Sequence, residues 1–174
     1  ENKNKLLEDG EVDCIWGCFS MNGREDKYLW AGPYLYSRQM VAVRMDSEIQ
    51  KLKDLTGKMI AVQETSKAEE YFLRSDFEGI PDVSLVYCFS NMDEVFAALR
   101  KNYVEAICGH ESALISFINT APDEYRLLDE SFLYSALGVA FDIQYDEEFV
   151  EELFKTLGDM MNDGTIAAIV GKYG

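Results

Sequence analysis

The sequence predicts an α/β fold with parallel-rich sheets, divided into two lobes. Strand-like and helix-like segments alternate along the 174 residues, which is the pattern of consecutive βαβ modules. Two long extended segments, one early and one late, flank a complete set of these modules. We therefore expect residues 46–128 to form lobe 2, inserted into a lobe 1 made of residues 1–32 and 142–174. The connecting strands, 33–45 and 129–141, are then hinge crossovers.

Composition limits the classes of function. The chain has 16 basic and 32 acidic residues and a formal net charge of −16, so its surface repels nucleic acid and anionic lipid. Hydrophobic residues make up 48%, which excludes intrinsic disorder. The sequence contains no apolar run near the roughly 20 residues of a membrane-spanning helix, and it does not begin like a signal peptide.

The cysteines are typical of neither a metal site nor a disulfide framework. Cys14, Cys18, Cys88 and Cys108 have no metal-ligand spacing, and the sequence has one histidine. We expect neither a metal ion nor another cofactor. If residues 11–19 form a strand, Cys14 and Cys18 lie about 13 Å apart, beyond the reach of a disulfide, and both are predicted to be free thiols.

Lobe 1 is predicted from the two ends of the chain. Residues 3–8 indicate a helix, residues 12–19 an apolar strand and residues 20–27 a polar loop. Near the C-terminus an apolar stripe predicts a long helix, which Asp163 and Gly164 interrupt before a short final helix. The stripe consists of Phe149, Val150, Leu153, Phe154, Leu157, Met160 and Met161.

Lobe 2 is predicted from three βαβ-like repeats of strand and helix, so a parallel sheet is expected. The predicted strands are 59–63, 83–88 and 104–108, and the predicted helices are 66–74, 92–101 and 112–118. The second helix begins with a capping box of Asn91 and Glu94. Residues 133–141 then form the strand that returns to lobe 1.

A series of short motifs resembles one protein family. In chain order they are Leu7-x-x-Gly10-x-Val12-Asp13, Phe19-Ser20-Met21-x-x-Arg24, Gly32-Pro33-Tyr34, Asp54-Leu55-x-Gly57-Lys58-x-Ile60-Ala61-Val62-Gln63, Val104-Glu105-Ala106 and Asp163-Gly164-Thr165-Ile166. Their order and spacing resemble the family 3 extracellular solute-binding proteins. The resemblance implies a two-lobed periplasmic-binding-protein-like fold that closes on a small polar solute, an amino acid or related carboxylate, in an interlobe cleft. It also implies that lobe 1 is incomplete, because the family's first strand-helix-strand is absent.

The resemblance also implies ligand contacts in lobe 1. Arg24 matches the arginine that grips the ligand's carboxylate, for which a planar guanidinium is suited because it donates two parallel hydrogen bonds. The alternative is a solvated Arg24 paired with a neighbouring acidic side chain. Ser20 and the backbone around Trp16 and Gly17 match the loop that accepts hydrogen bonds from the ligand's amino group. Trp16 either lines the pocket or belongs to the core.

In lobe 2 the candidate contacts are Thr65, Ser66 and His110. Thr65 and Ser66 follow a strand and open a helix, where hydroxyls and free amides can hold an anion. Alternatively, Ser66 and Glu69 form a capping box that serves only the helix.

His110 stands where the resemblance implies an aspartate that pairs with the ligand's ammonium group. Imidazole offers no fixed negative charge. Either Glu111 substitutes for that aspartate, or the ligand is not a standard α-amino acid. A third alternative is that His110 only starts a helix.

Two uses of a binding module follow from the resemblance. One is a receptor that delivers solute to the membrane permease of an ABC importer, and the other is the sensor of a membrane signalling protein. Both imply an extracytoplasmic location, periplasmic or membrane-tethered at the cell surface. The alternative is an enzyme like the cyclohexadienyl dehydratases of the same fold. Because no Ser/His/Asp or Cys/His order occurs, we expect no catalytic residues.

Self-association is also expected. A lobe 1 that lacks a βαβ-sized piece leaves a strand edge and an apolar face around residues 12–19 uncovered. Exposed apolar area of this kind seldom stays in water on a monomer. We therefore predict a symmetric dimer that forms through lobe 1.

Overall fold

The computed structural model describes residues 3–17, 19–74 and 79–172. The chain divides into two compact units, with residues 1–37 and 135–174 in unit 1 and residues 38–134 in unit 2. Each unit has hydrophobic clusters of its own. The hinge role of residues 33–45 and 129–141 stays a prediction.

Six strands and six helices make up the described fold, together with two short 3-10 turns, Glu25–Lys27 and Leu52–Leu55. The strands are β1 (Leu29–Arg44), β2 (Met59–Gln63), β3 (Leu85–Phe89), β4 (Ala106–His110), β5 (Tyr125–Leu127) and β6 (Leu133–Phe141). The helices are α1 (Lys3–Glu8), α2 (Lys67–Leu73), α3 (Met92–Arg100), α4 (Glu111–Ile118), α5 (Glu147–Asn162) and α6 (Thr165–Val170). None of these helices has the length and apolar character needed to cross a membrane.

Unit 2 is built on a mixed sheet with the strand order β3-β2-β4-β1-β5. The parallel pairing predicted from the βαβ modules is confirmed, because β2 pairs in parallel with both β3 and β4. The crossover strand β1 lies between β4 and β5 and runs antiparallel to both.

Both faces of this sheet are buried. Along β1, Val41 and Val43 lie in one hydrophobic cluster, whereas Met40 and Ala42 lie in the other. This alternation is the period of two expected for a strand. The first cluster includes side chains of α2 and the second includes side chains of α3 and α4. The carboxyl ends of the parallel strands β2 and β4 therefore meet at one edge, where the candidate residues of unit 2 lie.

Unit 1 contains α1, the first part of β1, most of β6, and the two C-terminal helices. The predicted strand 12–19 is wrong. The described residues of this segment form one isolated bridge, between Ile15 and Ala140, and a second bridge follows it between Ser20 and Leu137. The amide of Phe19 donates to the carbonyl of Gly17 at 2.6 Å. Residue 18 lies outside the described residues.

The predicted apolar stripe of α5 is only partly buried. Val150 and Leu157 are core residues, whereas Phe149, Phe154 and Met161 are about half exposed. The stripe is therefore wider than the face that contacts the described part of unit 1. The predicted interruption after α5 is confirmed, with Gly164 in the left-handed conformation that glycine adopts freely.

The predicted capping boxes form only in part. Ser66 and Asn91 each accept a bond from the backbone amide three residues later, as predicted. The return bonds go elsewhere, because Glu69 accepts from the amide of Thr65 at 2.7 Å and Glu94 accepts from the hydroxyl of Ser90 at 3.0 Å. In both helices the acidic side chain reaches one residue beyond the cap.

Candidate functional site

Arg24 lies on the loop of unit 1 that follows the single bridge at Ser20. Its Nη1 donates to the carbonyl of Ser20 at 3.3 Å, and its Cζ lies 4.8 Å from the ring centroid of Phe19. The ion pairs of the described residues do not include Arg24, so the predicted alternative of a pair with Glu25 or Asp26 is not found. The structure thus holds a half-buried guanidinium on an aromatic face and a carbonyl.

Hydrogen bonds fix the backbone around this arginine. The indole Nε1 of Trp30 donates to the carbonyl of Arg24 at 3.1 Å, and the amide of Arg24 donates to the carbonyl of Met21 at 2.8 Å. Asn22 Oδ1 accepts from the amide of Ala136 at 2.9 Å. The loop is therefore fastened to β1 and β6, which limits the positions that Arg24 can take.

The hydroxyl of Ser20 takes part in the hydrogen bonds inside this loop. Its side chain is buried, its hydroxyl donates to Asn22 Oδ1 at 2.9 Å, and it accepts from the amide of Asn22 at 3.3 Å. The hydroxyl therefore supports the loop directly, and a contact with a solute would have to compete with these bonds.

Trp16 is 58% exposed, so the alternative that it belongs to the core is wrong. Its ring meets that of Tyr34 edge to face, with centroids 6.3 Å apart. Tyr34 donates its hydroxyl to the carbonyl of Gly17 at 3.0 Å. Trp16 and Tyr34 thus present an aromatic surface, while the carbonyl of Gly17 already accepts a bond.

Thr65 and Ser66 lie at the carboxyl end of β2, in unit 2. Ser66 caps α2 through the bond from the amide of Glu69, and its role as an anion contact stays a prediction. Thr65 has φ of +57°, a region in which β-branched residues are uncommon. Such a conformation costs about 1–3 kcal/mol, and non-glycine residues held in it cluster at functional sites. Of Thr65 and Ser66, Thr65 is therefore the stronger candidate for a functional role.

His110 ends β4 and lies opposite Gln39 of β1 in the antiparallel register. Gln39 Nε2 lies 2.9 Å from His110 Nδ1, and burial lowers the pKa of His110 below its usual value. His110 is the residue before α4, as the helix-start alternative predicts, but its side chain does not cap the helix.

The carboxylate of Glu111 forms an ion pair with Arg38. Nε of Arg38 donates to Glu111 Oε2 at 2.9 Å, and Nη2 of Arg38 donates to Glu111 Oε1, which makes a two-pronged charge pair. A carboxylate paired in this way is a poor substitute for an aspartate that balances an ammonium group.

The sequence reasoning missed Arg38 and Gln39. They lie more than 70 positions from Glu111 and His110, and only the register of β1 against β4 brings them together. No local pattern signals such a pairing.

The described cysteines are free thiols. Cys14, Cys88 and Cys108 form no disulfide, and Cys18 lies outside the described residues. Burial and hydrogen bonding to Glu69 raise the pKa of Cys88 to about 11. Among the residues that the structure describes, no group of His, Cys, Asp and Glu side chains is arranged to hold a metal ion.

Comparison with known proteins identifies the family. The chain belongs to the bacterial extracellular solute-binding proteins, family 3, which it matches over residues 1–174. It is 27% identical over 172 residues to the glutamate-binding protein GluB of Corynebacterium efficiens, covering 94% of this chain and 56% of that protein. It is 28% identical over 171 residues to the putative amino-acid ABC transporter-binding protein PatH of Vibrio harveyi, covering 97% and 67%. The chain thus spans little more than half the length of the glutamate-binding relative.

Solved structures share the fold. An ancestral arginine-binding protein bound to arginine superposes with a TM-score of 0.82 at 24% identity, over 99% of this chain and 76% of that one. The cysteine-binding protein from Campylobacter jejuni gives a TM-score of 0.84 at 21% identity, over 99% and 67%. The predicted periplasmic-binding-protein-like α/β fold is confirmed by these matches.

Proposed function

We propose that this chain binds a small polar solute that carries a carboxylate, an amino acid or a related acid. The main support for this proposal is Arg24, which is partly exposed and whose guanidinium has no carboxylate partner among the described residues. A buried or half-buried cation of this kind is stabilised when an anion arrives and makes two charge-assisted bonds. The names of the relatives support the solute class, since they are binding proteins for glutamate and for amino acids.

The structural support for a ligand contact differs among the other candidate residues. In unit 1 the exposed ring of Trp16 is a surface for the apolar part of a solute, while Ser20 and Gly17 act through the shape of the loop. In unit 2, Thr65 is the stronger candidate of the pair with Ser66 because of its strained backbone. His110 contributes a polar ring at the end of β4.

The proposed partner is a membrane permease that receives the solute, or the signalling domain of a sensor. The ABC transporter named for one relative favours the permease. Either use places the chain outside the cytoplasm, in the periplasm or tethered at the cell surface. We propose no catalytic residue, in keeping with relatives that are named as binding proteins.

A screen of thermal stability tests the proposed binding. The chain is heated with each of the twenty amino acids and with matched hydroxy, keto and dicarboxylic acids at millimolar concentration. A ligand at 100 times its Kd adds about 2.7 kcal/mol to the free energy of unfolding, or roughly 5–10 °C for a chain of this length. No shift with any acid in either series would refute the proposal.

Self-association through unit 1 is a second proposal, carried by exposed apolar side chains such as Trp16 and Phe154. The formal net charge of −16 opposes it, so a dimer should strengthen as salt rises. Light scattering at 20–100 μM protein and two salt concentrations gives the mass directly. A monomer at every concentration would refute this proposal and leave solute binding untouched.

A further inference from the structure

A second polar side chain of the Arg24 loop, residues 20–24, is held in place by its neighbours. Asn22 lies two positions before Arg24 and is half-buried. Its side-chain oxygen Oδ1 accepts from the hydroxyl of Ser20 and from the backbone amide of Ala136, each at 2.9 Å. The oxygen of this side chain is therefore engaged inside unit 1, and the amide nitrogen Nδ2 is the atom whose role is open.

The backbone of β6 determines which end of the Asn22 amide faces the protein. The N–H of Ala136 can only donate, so the atom of Asn22 that it contacts has to be the oxygen. The hydroxyl of Ser20 donates to the same oxygen and itself accepts from the backbone amide of Asn22 at 3.3 Å. A flipped side chain would set its NH2 group against the N–H of Ala136, with two donors facing each other. Nδ2 therefore points away from that N–H.

Nδ2 of Asn22 keeps its hydrogens for a partner outside the described protein. The hydrogen bonds of Asn22 with the described residues use its oxygen and its backbone amide but not Nδ2. The described part of the chain contains no buried side-chain nitrogen or oxygen without a partner, so Nδ2 is in contact with solvent. A primary amide whose oxygen is engaged and whose nitrogen is open acts as a donor only.

Arg24 presents donors beside the same serine. Its Nη1 donates to the carbonyl of Ser20 at 3.3 Å, and its other side-chain N–H groups make no hydrogen bond to the described residues. The carbonyl of Met21 accepts from the amide of Arg24, and the carbonyl of Arg24 accepts from the indole of Trp30. Around Ser20 the loop therefore offers N–H groups from two side chains and one positive charge, while these three carbonyls are already in use.

We infer that Asn22 is a further ligand-contact residue, whose Nδ2 donates to the same carboxylate that Arg24 receives. A carboxylate has about four lone-pair positions on its two oxygens, and one guanidinium fork fills two of them. A second donor therefore adds a bond without competing with Arg24. Both side chains are held against Ser20, which places their donors side by side on one loop. The inference rests on the proposed function and adds a second contact to its site.

Asn22→Asp separates this contact from support of the loop. Aspartate has nearly the same shape and keeps the oxygen that accepts from Ala136 and Ser20, but it replaces the donor by a negatively charged acceptor. The probe is the acid that gives the largest shift in the thermal screen, titrated by calorimetry at pH 7. Binding should weaken roughly 100-fold or more in Asn22→Asp, because a charge-assisted bond is lost and a like charge faces the carboxylate.

Asn4→Asp is the matched control. Asn4 also lies in unit 1, and its Oδ1 accepts from the hydroxyl of Tyr28, so the same substitution adds the same charge and keeps an accepted bond. This variant should bind the probe within about threefold of the wild type. Equal weakening in both variants would be a general effect of charge and would overturn the inference.

The outcomes for Asn22 and for the proposed function are distinguishable. If Asn22→Asp is folded and binds the probe within about threefold of the wild type, Asn22 does not contact the solute and the inference is wrong. The proposed function then stands as long as Arg24→Met loses binding. If no acid of the screen binds, the inference and the proposed function are both wrong.

Nuclear magnetic resonance of the wild-type chain tests the contact without a variant. The side-chain NH2 resonances of Asn22, assigned through its own Cβ, are followed while the probe is added. A new bond to a carboxylate should move the proton resonances of Nδ2 downfield, which support of the loop alone would not do. The side-chain amide of Asn91, whose oxygen caps α3, is the internal reference and should stay in place. Asn22 resonances that do not move when the chain is saturated with the probe overturn the inference.

Discussion

Gly138 of β6 is the position where one added methyl group should disturb both stability and the Arg24 loop. A Cβ built there would lie 2.8 Å from Cε3 of Trp30 and 2.9 Å from Sδ of Met21. Real Cβ atoms do not approach other atoms this closely, so one or both side chains must move. Trp30 also bonds the carbonyl of Arg24, and Met21 accepts from its amide. The Gly138→Ala change should therefore displace Trp30 or Met21, the two residues whose hydrogen bonds hold the backbone of the Arg24 loop.

The cost follows from overpacking. Extra methyl groups in a filled space cost about 1–3 kcal/mol, because side chains leave their preferred rotamers or the backbone shifts. For a chain of this length that amounts to a fall in Tm of about 2–12 °C. Met21 is flexible and can relieve part of the clash, but the indole of Trp30 is rigid. We expect the lower half of this range for stability and a clear loss of affinity for carboxylate solutes.

Thermal unfolding followed by circular dichroism measures the effect, with Gly158→Ala as the matched control. Gly158 lies inside α5, and a Cβ there would meet no atom within 4 Å. Alanine is preferred over glycine inside a helix by roughly 0.5–1 kcal/mol, so the control should raise Tm slightly. The same substitution thus has opposite signs at the two sites. A Gly138→Ala protein as stable as the wild type would refute the packing reasoning.

Three further predictions concern unit 2. Asn91→Ala removes the acceptor for the amide of Glu94 and should cost about 1 kcal/mol in urea unfolding; an unchanged midpoint would contradict the cap. Burial lowers the pKa of His110 in the folded chain, so between that lowered value and pH 6.5 the unfolded chain binds a proton that the folded chain does not. The contribution of the neutral His110 to the free energy of unfolding is therefore full above pH 6.5 and is lost as the pH falls. Unfolding of the wild type and of His110→Asn at pH 5 and pH 7 checks the sign. Cys88 is exposed but its pKa is raised to about 11, so it should react slowly with a disulfide reagent at pH 8, and Glu69→Gln should speed the reaction; an already fast wild-type rate would contradict this.

The alternating elements of unit 2 were predictable because their signals are local. The predicted strand 59–63 coincides with β2, and the helix predicted at 92–101 coincides with α3 within one residue, since apolar period and cap residue agree there. The strand predicted at 104–108 is displaced by two residues, to Ala106–His110. Local patterns identify an element well and its ends less well.

The errors arise where tertiary contacts decide. Residues 12–19 are apolar enough for a strand, but the described part of this segment forms one isolated bridge, from Ile15 to Ala140. The sequence left Trp16 as either a pocket residue or a core residue, and only the structure, which exposes its ring, excludes the core. At the candidate site, Arg24 was proposed from a motif, whereas Arg38 and Gln39 contact Glu111 and His110 only through the pairing of β1 with β4, which no local pattern encodes.

The binding of a carboxylate by Arg24 is tested most directly by calorimetric titration at pH 7. The acid that gives the largest thermal shift is titrated into the wild type, into Arg24→Met and into Arg74→Met, a matched change at a largely exposed arginine. Losing two charge-assisted hydrogen bonds of about 1.5–3 kcal/mol each should weaken binding at least 100-fold in Arg24→Met. Arg74→Met should bind like the wild type. If Arg24→Met binds the same acid within threefold of the wild type while remaining folded, Arg24 does not receive the carboxylate and the proposed site is wrong.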